Sequence, residues 1–207
     1  MIYGSIKDNA QCRDPARHPL VTALALLLLL FFLQGCASKP PPKPWEVPQD
    51  AAKPEEVKWT YLPGGLIINL EADQQLNLFE DFSHNLLFCS YQLSDPAPFK
   101  ELAASLGGIY KLLECGRFDP SVVQVDRRFI APGQQSSLVM DRAEGARHVG
   151  LVAGYQELQP GLVTTLYSFP IAADRAGLRP WSKKYNPEKL TINILLGPDS
   201  IQRLGVE

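Results

Sequence analysis

Leu190, Ile192, Ile194 and Leu196 fall on every second position, the spacing of side chains that share one face of a β-strand. The same period recurs in Leu66, Ile68, Leu70 and Ala72, and again in Leu87, Cys89, Tyr91 and Leu93. Segments of similar character run over Ser121–Ile130, Ser137–Asp141, His148–Tyr155 and Leu162–Phe169. Short strands separated by turn residues predict a mainly β chain, with two small sheets packed face to face as a sandwich. Gly64-Gly65 predicts a turn ahead of the first strand. Ala131-Pro132-Gly133-Gln134 puts Pro and Gly at the central positions of a type II turn, which predicts a hairpin joining the third and fourth strands.

One segment has a different period. Phe99, Leu102, Ala103, Leu106, Tyr110 and Leu113 recur at helical spacing, with Asp95 placed to cap and Pro96 in the first turn, so a small helical insertion is expected over about 96–114. Gly107-Gly108 in a helix interior costs about 2 kcal/mol relative to alanines. Two short helices broken at those glycines are therefore expected.

Ahead of the strands the chain is organised for export. The uncharged run Leu20–Leu33 follows a stretch carrying Lys7, Arg13 and Arg17. As a helix it would reach roughly 21 Å, short of the ~30 Å hydrocarbon core. That is the pattern of a signal peptide over residues 1–35. Leu33-Gln34-Gly35-Cys36 resembles the bacterial lipobox, which makes Cys36 the lipidated new N-terminus. Residues 36–58 hold Pro40, Pro41, Pro42, Pro44, Pro48 and Pro54 and little that is apolar besides Trp45 and Val47. Such a segment favours polyproline II and reads as a tether of ~3.1 Å per residue, roughly 60 Å at full reach. Residues 59–207 then form one domain, since a chain of this size buries about 70% of its unfolded surface without needing a staple.

The composition narrows the function. With 20 Lys and Arg against 22 Asp and Glu, and no basic stripe, the chain lacks the cation density that nucleic-acid binding demands. His84 and His148 sit in no metal-binding spacing, and no serine elbow, dinucleotide loop or phosphate loop occurs, so catalytic residues, cofactor and metal are all expected to be absent. Glu55-Glu56 and the pair Asp73 and Glu80 read as solubilising charge. Gly150 and Gly154 in a strand read as close packing. Cys89 and Cys115 are the thiols left once the leader is cleaved and Cys36 is lipidated. In an oxidising compartment they are expected to pair, which would contribute ~3.5 kcal/mol, the alternative being that Cys89 is a small core residue.

Between the first two strands, Asp73–Asn85 is polar and irregular yet carries Leu76, Leu78, Phe79 and Phe82, flanked by Glu80 and Asp81. Apolar groups ringed by polar ones resemble the centre and rim of a binding surface. Two alternatives are that the loop folds back and buries them or that Leu76–Phe79 extends a strand.

The lipobox at Cys36, the Pro-rich tether, Ser90-Tyr91-Gln92-Leu93, an insertion containing Phe99, Pro132-Gly133, Asp141-Arg142 and the run from Ala146 to Tyr155 occur in that order. Together they resemble the type VI secretion lipoprotein family (TssJ, VasD or SciN). The resemblance implies a transthyretin-like two-sheet β-sandwich, lipid-anchored in the outer membrane and facing the periplasm. It also implies a non-catalytic role: docking the periplasmic C-terminal domain of the IcmF-like inner-membrane subunit through the loop at Asp73–Asn85. Gln159–Lys189 is longer than that pattern. The competing expectations are a carbohydrate- or peptidoglycan-binding sandwich lipoprotein, with Trp59, Tyr61, Trp181 and Tyr185 as its aromatic platform, and a periplasmic hydrolase.

Overall fold

The computed structural model describes residues 41–43, 45–46, 50–175 and 183–206. The apolar leader, Cys36 and Trp181 lie outside the described residues. The chain divides into Met1–Pro41 and Pro42–Glu207, and every strand and helix named below belongs to the second unit. Among the described residues no helix is long and apolar enough to cross a membrane.

Ten strands form among these residues: β1 (Leu62–Ala72), β2 (Leu86–Leu93), β3 (Val122–Ile130), β4 (Gln135–Arg142), β5 (His148–Gly154), β6 (Thr164–Ser168), β7 (Ile171–Arg175), β8 (Lys183–Pro187), β9 (Leu190–Leu196) and β10 (Ile201–Val206). One sheet has the order β10-β9-β1-β4 and the other β3-β2-β5-β6. Only β1 and β9 pair in parallel within these sheets. The period-2 residues do what their spacing predicts: Leu66, Ile68, Ile192, Ile194 and Leu196 are fully buried in the core. In β4 exposed and partly buried positions alternate, because its sheet has one wet face.

Two expected turns behave differently. Gly64 and Gly65 lie inside β1, where the pairing register with β4 shifts between Leu62 and Leu66. They form a bulge, with Gly64 at φ +57° and no room at Gly65 for a Cβ, which would stand 2.9 Å from the Cβ of Arg142. The turn at Pro132-Gly133 does form, with the Gln134 amide donating to the Ala131 carbonyl at 3.1 Å and Gly133 at φ +71°. The strands it joins, β3 and β4, lie in different sheets. It is an arch between layers and makes no hairpin.

The insertion forms α1 (Ala97–Ala103) and α2 (Leu106–Leu112). They break at Ala104-Ser105, not at the glycines, because Ser105 is extended and its hydroxyl caps α2 by accepting from the Gly108 amide at 3.1 Å. That N-cap offsets the glycine cost. The helices cover the outer face of the second sheet, so β2 is buried along nearly its whole length. Phe99 fills the space over Gly150 and packs, tilted, with its ring centroid 6.0 Å from that of Tyr91, whose hydroxyl donates to the Leu112 carbonyl. Burial pushes the Tyr91 hydroxyl up to about 12. Cys89 of β2 and Cys115 after α2 meet as a disulfide pair, with Cα atoms 5.6 Å apart, ordinary spacing for such a bridge.

The long segment between Gln159 and Lys189 contains β6 together with β7 and β8, which pair with each other as a separate two-stranded sheet. This small hairpin receives the end of the Pro-rich segment. Ala51 and Tyr185 exchange backbone hydrogen bonds of 3.0 Å, while Asp50 takes an ion pair from Lys184 and a 2.9 Å bond from Asn186. Val57 is buried. The Ala51–Tyr185 β-bridge lies ahead of residue 59, because pairing of backbone groups needs few apolar side chains.

Candidate docking surface at the loop end of the sandwich

The strand directions bring four connections to one end: β1–β2, the β3–β4 arch, β5–β6 and β9–β10. Backbone bonds knit them together. The Asn77 and Leu78 amides donate to the Gly197 and Pro198 carbonyls at 3.5 and 2.9 Å, and Gly133 donates to Asp73 at 3.1 Å. Asn77 is the hub. Its side chain accepts from the Gln156 amide at 2.8 Å and donates to the Asn85 carbonyl at 3.3 Å, and its carbonyl faces His84 Nδ1 at 3.3 Å. It does this at φ +50°, a conformation asparagine tolerates better than most residues.

The tip of the β1–β2 loop is a miniature hairpin. Phe79 and Phe82 exchange backbone bonds of 2.9 and 3.0 Å, with Glu80 and Asp81 between them at φ +50° and +65°. Two positive angles in succession are what a type I′ turn requires, and glycine or asparagine normally supplies them. Holding Glu and Asp there costs of order 1 kcal/mol or more each. The strained turn holds apolar side chains outward: Leu78, Phe79 and Phe82 are 39%, 41% and 70% exposed. Leu76 is different. It is 0% exposed and belongs to the core, so among the four apolar residues of the loop it is a plug beneath the surface and no part of it. Glu80 and Asp81 are exposed around the tip.

The other residues singled out by sequence are accounted for elsewhere. Trp59 packs on Phe169 at 6.4 Å, Tyr61 meets Trp45 at 5.5 Å, and Tyr185 holds the Asp50 strap, so these rings build no common platform. His148 sits at the start of β5 with Nδ1 2.9 Å from Ser168 Oγ, and burial beside Lys100 and Arg147 lowers its pKa. Among the described residues no three His, Cys, Asp or Glu side chains converge as a metal site. Sequence reading missed Arg142, which is fully buried between the Trp59 and Phe169 rings at 5.3 and 5.6 Å. It donates to the Thr60 carbonyl at 2.9 Å and the Glu188 carbonyl at 3.4 Å, and burial lowers its pKa to about 10. It fastens β4 to the segments entering β1 and β9, at the end opposite the Phe79–Phe82 tip. Nothing in a lone Asp-Arg dipeptide announces that role.

The two-sheet sandwich thus fixes a strained, apolar tip onto three neighbouring loops. A family model described as Type VI secretion lipoprotein, VasD, EvfM, TssJ matches residues 65–197, and the chain belongs to that family. The chain is similar to the structure of Serratia marcescens Lip, a membrane bound component of the type VI secretion system, at 21% identity and TM-score 0.52 over 68% of this chain and 96% of that one. It is also similar to the type VI lipoprotein TssJ1 from Pseudomonas aeruginosa, at 20% identity and TM-score 0.49 over 72% of this chain and 95% of that one. A third structure, described as the type VI protein TssM C-terminal domain from EAEC, matches at 15% identity and TM-score 0.49, covering 68% and 97%. No curated protein matches the chain.

Proposed function

We propose that this lipoprotein is held in the outer membrane by acyl chains on Cys36, faces the periplasm, and docks the periplasmic C-terminal domain of the IcmF-like inner-membrane subunit through Leu78, Phe79 and Phe82. The observation that carries this reading is the Phe79–Phe82 tip, whose positive backbone angles hold exposed apolar groups above a hydrogen-bonded base. A preordered tip loses little conformational entropy on binding, and an apolar centre ringed by Glu80 and Asp81 fits a partner with basic groups at its rim. Membership of the type VI lipoprotein family supports the same role. The docked strap supports an orientation. Asp50 and Trp45 attach near the β8 hairpin and the start of β1, the pole opposite the docking loops, so the tip points away from the membrane.

Replacing Leu78, Phe79 and Phe82 by serine should weaken binding to the inner-membrane subunit's periplasmic domain by several kcal/mol; unchanged affinity in calorimetric titration would reject the site. Cys36→Ser should free the protein from the membrane, because several acyl chains together supply the attachment. Retention of this variant in the outer-membrane fraction would reject the anchor.

A further inference from the structure

β6 is the outer strand of its sheet, hydrogen-bonded to β5 along one side alone. Beside its other side runs a groove of about 350 Å³, between α1 and β10, lined by Phe99, Lys100 and Ala103 of α1, Thr164, Thr165 and Leu166 of β6, and Arg203 of β10, with Pro160-Gly161 at its mouth. An open strand edge offers backbone donors and acceptors to a further strand. Among the lining residues Lys100 and Arg203 are cationic and none is acidic, so the groove has one sign of charge.

The pairing register places these groups on the two faces of β6. Leu166 lies opposite Gly150, the glycine covered by Phe99, so Leu166 and Thr164 face the helices; Thr165 and Tyr167 lie opposite Leu151 and Val149 and face the other sheet. Arg203 stands opposite Ile194 on β10 and so shares the inward face, with its guanidinium 5.9 Å from the Tyr167 ring. Thr165 is 4% exposed, and both its hydroxyl and that of Tyr167 are buried without a hydrogen-bond partner. These two hydroxyls lie beneath the strand, between the sheets, while the open edge itself is lined by Lys100 and Arg203.

We propose that this edge accepts an extended acidic segment of a partner protein, added as a strand to β6. The new strand would take its main-chain bonds from Thr164–Ser168 and place carboxylates at Lys100 on one face and Arg203 on the other. The same charges disfavour a second copy of this chain, since edge-to-edge pairing would bring Lys100 and Arg203 towards their own equivalents. The site is separate from the Phe79–Phe82 tip and does not rest on that reading.

The test uses the full chain in lipid nanodiscs and a fluorescent peptide, acetyl-Val-Glu-Glu-Val-Val-amide, whose adjacent glutamates fall on opposite faces of a strand. Binding by anisotropy is expected, together with slower amide hydrogen exchange at Thr164–Ser168. Arg203→Gln and Lys100→Gln should each weaken binding by about tenfold, whereas the serine variants of Leu78, Phe79 and Phe82 should leave it unaltered. A version with lysine for glutamate, and one N-methylated at alternate amides, should both fail to bind. Equal affinity for the lysine or N-methylated peptide, protection elsewhere in the chain, or no binding at millimolar concentration would each overturn the proposal.

Discussion

Gly108 presses against Leu102 so closely that a Cβ on Gly108 would stand 2.0 Å from the Leu102 carbonyl oxygen. This contact sets how tightly α2 folds back on α1, and it separates two adjacent glycines that look alike in sequence. Gly107 has nothing within 4 Å of its missing Cβ. Gly107→Ala should stabilise the domain by about 0.5–1 kcal/mol, the helix-propensity gain. Gly108→Ala should destabilise it by about 1–3 kcal/mol or more, because backbone must move. Equal melting temperatures for the two variants would contradict this packing.

Leu76 and Phe82 lie in the same loop and divide by burial. Leu76→Ala should cost about 2–5 kcal/mol of folding stability, while Phe82→Ser should stay within about 0.5 kcal/mol of the parent. Chemical denaturation of both checks this. A large loss at Phe82 would make the ring part of the core.

Cys89 and Cys115 are separated by 26 positions. The denatured, unreduced protein should contain no free thiol from this pair, and reduction should cost ~3.5 kcal/mol through loss of the chain constraint. Because the bridge ties the end of α2 to β2, exchange of the α2 amides should accelerate before that of β9. Two titratable thiols without reductant would end the proposal.

Asp50 and Asp141 hold the strap and the start of β1. Hydrogen bonds from Lys184 and Asn186 lower the Asp50 pKa, and those from the Tyr61 hydroxyl and the Gly64 amide lower that of Asp141. A lowered folded pKa means the stabilisation is complete above the ordinary value of 3.8 and disappears as pH falls through the folded value. The amide resonances of Ala51 and Tyr185 should therefore hold steady from neutral pH to about 4 and move towards unpaired positions below it. Asp50→Ala should release them at neutral pH. A strap that stays paired in that variant would show that the carboxylate does not hold it.

The sequence by itself determined what local period and composition can carry. Alternation marked the inward faces of β1 and β9 and the helix-covered face of β2, helical spacing marked α1 and α2, and the motifs around the lipobox, the Pro-Gly turn and Ala146–Tyr155 identified the family. Only the tertiary structure decided how those pieces meet. A period says which residues share a face but not which strand lies alongside, so the Pro132-Gly133 turn could not be told from a hairpin until β3 and β4 entered different sheets. Propensity placed the helix break at the glycines, whereas the Ser105 cap and the close fit to Leu102 moved it. Likewise Leu76, Leu78, Phe79 and Phe82 are equivalent as apolar letters in a polar loop. Their burial depends on Asn77 reaching Gln156, 79 positions away, and on the loop's bonds to Gly197 and Pro198, contacts that exist only once distant parts of the chain have folded together.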